Sequence, residues 1–191
     1  RSNDKANHPG ANSSEVAIDV GIAEFASLSN GKVYPSINIY RKQQQSLAKY
    51  QRQLSKKVKH SQNWRKQQTK IRTLHTKISN TRKDHLHKVS NDICKNHAVI
   101  YIEDLKVSNM SRSAKGDIED PGKNVKAKSG LNKSILDQGW GEFRRQLEYK
   151  STWNGGLVIP VAAHYTSQTC SVCRHKAKES RVSQAAFACI K

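Results

Sequence analysis

No stretch of these 191 residues is apolar enough to span a bilayer or to lie in one, so a membrane partner is the weaker option. Residues 1–14 carry no apolar segment of the kind a secretory signal needs. Cysteine is scarce: of four, three gather near the C-terminus, which speaks against a disulfide framework and for metal ligation. Only 35% of the chain is hydrophobic and the mean hydropathy is -0.80, which leaves room for one domain with an economical core and a small satellite. Acids are also few. Fifteen Asp and Glu face 34 Lys and Arg, for a formal charge of +19. A field of that sign concentrates polyanions, and nucleic acid is the default partner. A cytoplasmic location is the expectation. The chain begins at Arg1 rather than Met and stops inside a cysteine pattern, so it reads as a piece of something longer.

The stretch 15–29 organises the rest. Val16, Ile18 and Val20 alternate with Ala17, Asp19 and Gly21, the period of a short strand. Asp is depleted in strands, and a lone carboxylate there asks for a partner. Asp19 would cap a strand end, pair with a lysine, or hold a divalent cation, with Gly21 allowing close approach to the backbone. Strands are expected at 15–22, 25–29 and 32–40 as a meander, with Asn30-Gly31 a two-residue hairpin turn. Pro35 points to an edge or a bulge. Residues 1–14, polar with Pro9-Gly10, read as a disordered linker.

A long helical region follows. Leu47, Tyr50, Leu54 and Val58 repeat at helical spacing, as do Ile71, Leu74, Ile78, Leu86, Val89 and Ile93. His60-Ser61-Gln62-Asn63 breaks the two runs and supplies a cap, so a helical hairpin is expected at about 41–97. Between residues 41 and 88 fifteen Lys and Arg accompany one acid, Asp84. Like charges at helical spacing repel by a few tenths of a kcal/mol per pair, so one-signed helices suit an external anion, the alternative being a merely solvated face. Lys49, Arg52, Lys56, Lys57, Arg65, Lys66, Lys70 and Arg72 are the candidate nucleic-acid contacts. Trp64 and Tyr50 fit packing inside the hairpin better than base stacking.

Residues 98–102 form a β-branched apolar run, the mark of a buried and parallel strand, and it ends at Glu103-Asp104. Residues 106–130 are polar and read as a long mobile loop. One helix is expected at 132–152, stopped by Asn154-Gly155-Gly156, then a strand at 157–161. Asp137 would sit at the head of that helix and favour its dipole. If strands one and four pair, parity puts Asp19 and Glu103 on one side, where two carboxylates would hold Mg²⁺ or Mn²⁺. Asp104 would face the other way. Cys94, beside Ile93, reads as a buried apolar thiol.

Ile18-Asp-Val-Gly-Ile22 with Phe25-Ala-Ser-Leu28 resembles the first RuvC motif of the transposon-encoded TnpB (OrfB) proteins. Tyr101-Ile-Glu-Asp-Leu-Lys-Val-Ser-Asn109 resembles their second, and residues 132–150 resemble the helix before their zinc ribbon. Tyr165-Thr-Ser-Gln-Thr-Cys-Ser-Val-Cys173 looks like the ribbon's entrance. The likeness runs from about Val16 to the C-terminus. It implies an α/β fold: an RNase H-like (RuvC) mixed sheet over 15–164 with an inserted basic helical hairpin, then a truncated zinc ribbon at 165–191. It also implies an insertion-sequence-associated, RNA-guided DNA endonuclease acting by metal-dependent phosphodiester hydrolysis, with DNA and guide RNA as partners. Asp19 and Glu103 carry over as catalytic ligands of Mg²⁺ or Mn²⁺, and Cys170, Cys173 and Cys189 as Zn²⁺ ligands. A catalytically inactive nucleic-acid-binding remnant of the family is the alternative.

The chain departs from the family pattern in several places. The third catalytic carboxylate and the fourth cysteine, expected at position 192, lie past the last residue. Arg174 stands where a glycine is usual, and Ala162-Ala163-His164 replaces a proline-containing approach. His175 lies too close to Cys173 to serve readily as the missing ligand. The 191 residues alone are therefore expected to bind nucleic acid with a steep salt dependence but to bind catalytic metal poorly and not to cut.

Overall fold

The computed structural model describes residues 14–162, 168–170, 172–182 and 187–191. Strands β1 (Glu15–Val20), β2 (Glu24–Leu28) and β3 (Val33–Pro35) form the meander. Helices α1 (Ile39–Ser55) and α2 (Gln62–Asn96) follow, then β4 (Val99–Glu103) and the short α3 (Val107–Met110). Helices α4 (Val125–Gln138) and α5 (Trp140–Trp153) lead into β5 (Leu157–Val161). The five strands make one mixed sheet in the order β3-β2-β1-β4-β5. β1 is antiparallel to β2 and parallel to β4, and β4 is parallel to β5. A mixed α/β fold is therefore established.

Alternation sorts the sheet into two faces. Val16, Ile18 and Val20 of β1 and Ile100 and Ile102 of β4 are buried under Leu86, Val89, Ile93, Ile135, Trp140, Phe143 and Leu147 from the helices. Full burial of a side chain such as Phe143 contributes about 1.5–3 kcal/mol, and it also meets Phe25 edge-on with ring centres 4.8 Å apart. Glu15, Ala17 and Asp19 face the other way and are exposed.

The helical hairpin projects from this core. At about 1.5 Å per residue the 35 residues of α2 span about 52 Å, more than the sheet can cover. Of its buried residues, Leu86, Val89, Ile93 and Cys94 serve the core; Gln67, farther out, donates to Tyr50 O and Gln53 Oε1 across the hairpin. Ser61 caps α2 by accepting from Trp64 N, as its sequence position predicts. Val58, counted in the apolar stripe, lies past the end of α1 and is 79% exposed.

Several boundaries differ from the sequence expectation, each for a local reason. Ser14 is no part of a loose linker: its hydroxyl donates to Asn96 O, and its carbonyl accepts from Ala98 N. The rest of that linker, 1–13, lies outside the described residues. The hairpin loop has three residues rather than two, because Gly31 alone takes a positive φ, 87°, and Gly31 N bonds back to Leu28 O. Strand three stops at Pro35 on the sheet edge, and Asn38, at φ 46°, turns the chain so that Ile39 and Tyr40 begin α1. The stretch 106–130 is not one loop. It holds α3 and the start of α4, pinned where Lys128 Nζ donates to Met110 O and Asn132 Nδ2 to Ser111 O. The expected single helix at 132–152 is two, because Gly139 at φ 73° breaks it.

That break moves Asp137 from a helix head to the last turn of α4, where the dipole would disfavour it. Its partners explain it instead. Asp137 Oδ1 pairs with Arg82 of α2 and Oδ2 accepts from Tyr40 N of α1, with the side chain 4% exposed. One carboxylate thus ties three helices together.

Candidate metal centres and nucleic-acid interface

The register of β1 on β4 ends at Ile18↔Ile102, so the next residues, Asp19 and Glu103, extend side by side on the open face. They line one hollow of about 400 Å³ with Ala17, Ser27, Ser29, Tyr101 and Val161. Among the described residues no Lys, Arg or His lines it. Burial, and then the Asp19 charge, raise the Glu103 carboxyl above its ordinary range. Two acids that repel each other, in a hollow that no described basic side chain lines, fit a bound cation. Asp104 points away, as parity predicts, and pairs with Arg144 of α5.

Gly21 does not open the backbone to a ligand. A β-carbon there would lie 2.9 Å from Glu24 O, so the close neighbour is the chain's own carbonyl in the turn between β1 and β2. Sequence reasoning missed Glu24, Asn38 and Arg41, which share a second hollow with Asp19. The signal for Glu24 was its place at the start of a strand antiparallel to β1.

The second centre is the thiol cluster. Ligand atoms of Cys170, Cys173 and Cys189 all lie within 4.8 Å of one another, with the last two sulfurs 3.5 Å apart. Tetrahedral zinc with bonds of about 2.3 Å sets its sulfurs about 3.8 Å apart, so the three thiols fit. Cys170 accepts from the amides of Cys173 and Val172, which pull its thiol down to about 7. The turn closes through Arg174 N to Cys170 O at 3.0 Å and Cys170 N to His175 O at 2.9 Å. Arg174 sits at φ 59°, the left-handed region, which gives the physical reason a glycine suits that position. Among the described residues His175 does not join the cluster. Ala163, His164, Tyr165, Thr166, Ser167 and Ser171, used in the motif reading, lie outside the described residues.

The candidate nucleic-acid residues divide between the two arms of the hairpin. Lys49 and Arg52 lie on α1, Lys56 and Lys57 in the connection, and Arg65, Lys66, Lys70 and Arg72 on the outer half of α2. All are exposed except the half-buried Lys57, and none joins an ion pair among the described residues. Trp64 and Tyr50 are half-buried, consistent with packing in the hairpin. Cys94 is buried near Leu147, and burial pushes its thiol up to about 11, which makes it inert. No helix among the described residues is long and apolar enough to cross a membrane.

Comparison with known proteins gives a consistent set of relatives. Residues 3–114 match the model of the OrfB_IS605 family, described as "Probable transposase", and residues 140–191 match "Cas12f1-like, TNB domain". The Escherichia coli (strain K12) protein named "Putative RNA-guided DNA endonuclease InsQ" is 58% identical over 182 residues, covering 95% of this chain and 45% of that protein. A "Putative RNA-guided DNA endonuclease" of Streptomyces pristinaespiralis is 32% identical over 164 residues, 85% of this chain and 37% of that one. The chain therefore spans less than half the length of these relatives. A cryo-EM structure of a Cas12f1–sgRNA–target DNA complex aligns with 84% of this chain and 38% of its own, at 20% identity and a TM-score of 0.49.

Proposed function

Because this chain belongs to the OrfB_IS605 probable-transposase family, we propose that it is part of an insertion-sequence-associated, RNA-guided DNA endonuclease. The sheet and its helices at 15–164 correspond in this reading to a RuvC (RNase H-like) domain, and 165–191 to part of a zinc ribbon. DNA and a guide RNA are the partners, base pairing reads the sequence, and the basic hairpin holds backbone phosphates. The observation that carries the proposal is the meeting of Asp19 and Glu103, eighty-odd residues apart in sequence, at neighbouring positions on the open face.

Asp19 and Glu103 would hold Mg²⁺ or Mn²⁺. The metal in such sites activates water and stabilises the leaving oxygen of a phosphodiester. The protein's own contribution is to fix two negative charges on neighbouring strands, in a hollow that no described lysine lines. Cys170, Cys173 and Cys189 would hold Zn²⁺ in a structural role, tying 168–182 to 187–191.

Titrating the 191-residue chain with Mn²⁺, and following the free ion by its paramagnetic resonance, tests the first centre. Weak uptake that disappears in Asp19→Asn and in Glu103→Gln is expected. Uptake unchanged in both variants would sink the assignment. Binding to DNA that does not weaken between low and moderate salt would count against the hairpin's part in it.

A further inference from the structure

Strand β2 breaks its own alternation. Phe25 and Ala26 are neighbours in the chain, yet both are fully buried. The pairing with β3 gives the reason: Glu24 stands opposite Pro35 and Ala26 opposite Tyr34, so two steps along β2 answer one along β3. This is a β-bulge, which re-aims the side chains beside it. In a regular strand, residues three apart point to opposite faces. Across the bulge Glu24 and Ser27 share a face, and Ser27 Oγ donates to Glu24 Oε2 at 3.1 Å.

That face is the one with the acids. Ser27 is the partner of Asp19 in the register of β1 on β2. Side chains directly opposite on antiparallel strands stand on one face, with β-carbons about 4.5–5.5 Å apart. Ser27 and Asp19 line the hollow that Glu103 lines, and also the neighbouring one, of about 780 Å³, that Glu24 lines. Two serines among the described residues border the first hollow, and they differ in what they have left to offer. Ser29 Oγ accepts from Ala17 N, so its lone pairs are drawn on by the sheet. A carboxylate can only accept, so the hydrogen between Ser27 and Glu24 belongs to Ser27. The donor of Ser27 is thus committed to Glu24, and its oxygen keeps only acceptor capacity. An acceptor suits a donor, and water on a divalent cation is a strong one because the cation polarises its O–H bonds.

We infer that Ser27 and Glu24 are positioning residues of the cation site at Asp19 and Glu103. Ser27 Oγ accepts a hydrogen bond from a water of bound Mg²⁺ or Mn²⁺, and Glu24 fixes the hydroxyl so that its lone pairs stay available. The ligand is therefore a divalent cation that keeps part of its hydration. Neither residue takes part in bond breaking. The inference rests on the metal reading of the two acids, and it adds the side chains that orient the water around the ion.

The test follows Mn²⁺ uptake by the 191-residue chain, through the paramagnetic resonance of the free ion, in a set of variants. Ser27→Ala should weaken uptake about tenfold, the lower end of what a hydrogen bond outside the ligands contributes to metal affinity, at unchanged thermal midpoint. Ser27→Thr keeps the oxygen and should restore it. Glu24→Ala should weaken uptake about threefold, since the freed hydroxyl spreads over three staggered positions. In the Ser27→Ala background the same change should cost nothing more, because Glu24 acts through that hydroxyl. An equal loss in both backgrounds would make Glu24 a remote charge and overturn its role. A gain of one water on the ion in Ser27→Ala, read from water-proton relaxation, would make Ser27 a direct ligand and overturn the inference. Asp19→Asn keeps the two proposals apart. Uptake lost in Asp19→Asn but unchanged in Ser27→Ala would refute the inference alone. Uptake that neither Asp19→Asn nor Glu103→Gln disturbs would refute the metal centre, and the inference with it.

Discussion

Asp137 and the pair Asp19–Glu103 are acids on the same fold with opposite surroundings. Asp137 is buried between three helices, and the chain answers it with a guanidinium and a backbone amide. Asp19 and Glu103 meet each other instead, with no basic side chain among the described residues that line their hollow. The thiol cluster repeats the second pattern: three sulfurs converge, and a strained arginine closes the turn around them. Where the protein supplies the counter-charge, the acid fixes structure. Where it brings like groups together and leaves them, the arrangement suits the bound cation proposed above.

The widest gap between the two should appear on removing charge. Asp137→Ala should lower the unfolding free energy by about 3 kcal/mol, since it strands Arg82 and frees Tyr40 N. Urea denaturation measures it, and a loss below about 1 kcal/mol would erase the distinction. Arg174→Gly should relieve about 1 kcal/mol of left-handed strain and tighten Zn²⁺ binding about fivefold in a competition with a chromogenic chelator. Equal affinity would show that the turn carries no strain. Asp19→Asn should shift global stability by no more than about 0.5 kcal/mol while abolishing Mn²⁺ uptake. A loss as large as that of Asp137→Ala would make Asp19 a structural acid after all.

The smallest effect is a slope. Glu103 has its carboxyl raised above the ordinary value of 4.5, so in the window just above 4.5 the folded chain holds a proton that the unfolded chain has released. Stability should therefore fall as pH rises through that window, and Glu103→Gln should flatten the fall. Glu142 has the opposite sign: Arg145 and then Gln146 hold its carboxyl down to about 2. Its contribution is present above 4.5 and is lost as pH falls toward 2. Parallel acid titrations of wild type, Glu103→Gln and Glu142→Gln separate the two, and identical curves would mean that neither carboxyl is perturbed.

Much of this was legible in the residues. Alternation at Val16, Ile18 and Val20, the apolar run before Glu103, and the Ser61 cap are local signals, and each sits where its pattern predicts. Parity then put Asp19 and Glu103 on one face once β1 and β4 pair. The errors came where a local pattern was answered from far away. Asp137 was read as a helix head because its partners, Arg82 and Tyr40 N, lie 55 and 97 positions off. Glu24 and Ser27 were not singled out because no sequence spacing shows the bulge that turns both to the face of Asp19.

The sequence by itself determined the two faces of the sheet, the one-signed hairpin and the identity of the acids and thiols, because period and charge are properties of neighbouring residues. The tertiary structure alone decided which acids are answered and which are left facing each other. That depends on distances between segments far apart in the chain, and packing sets those distances.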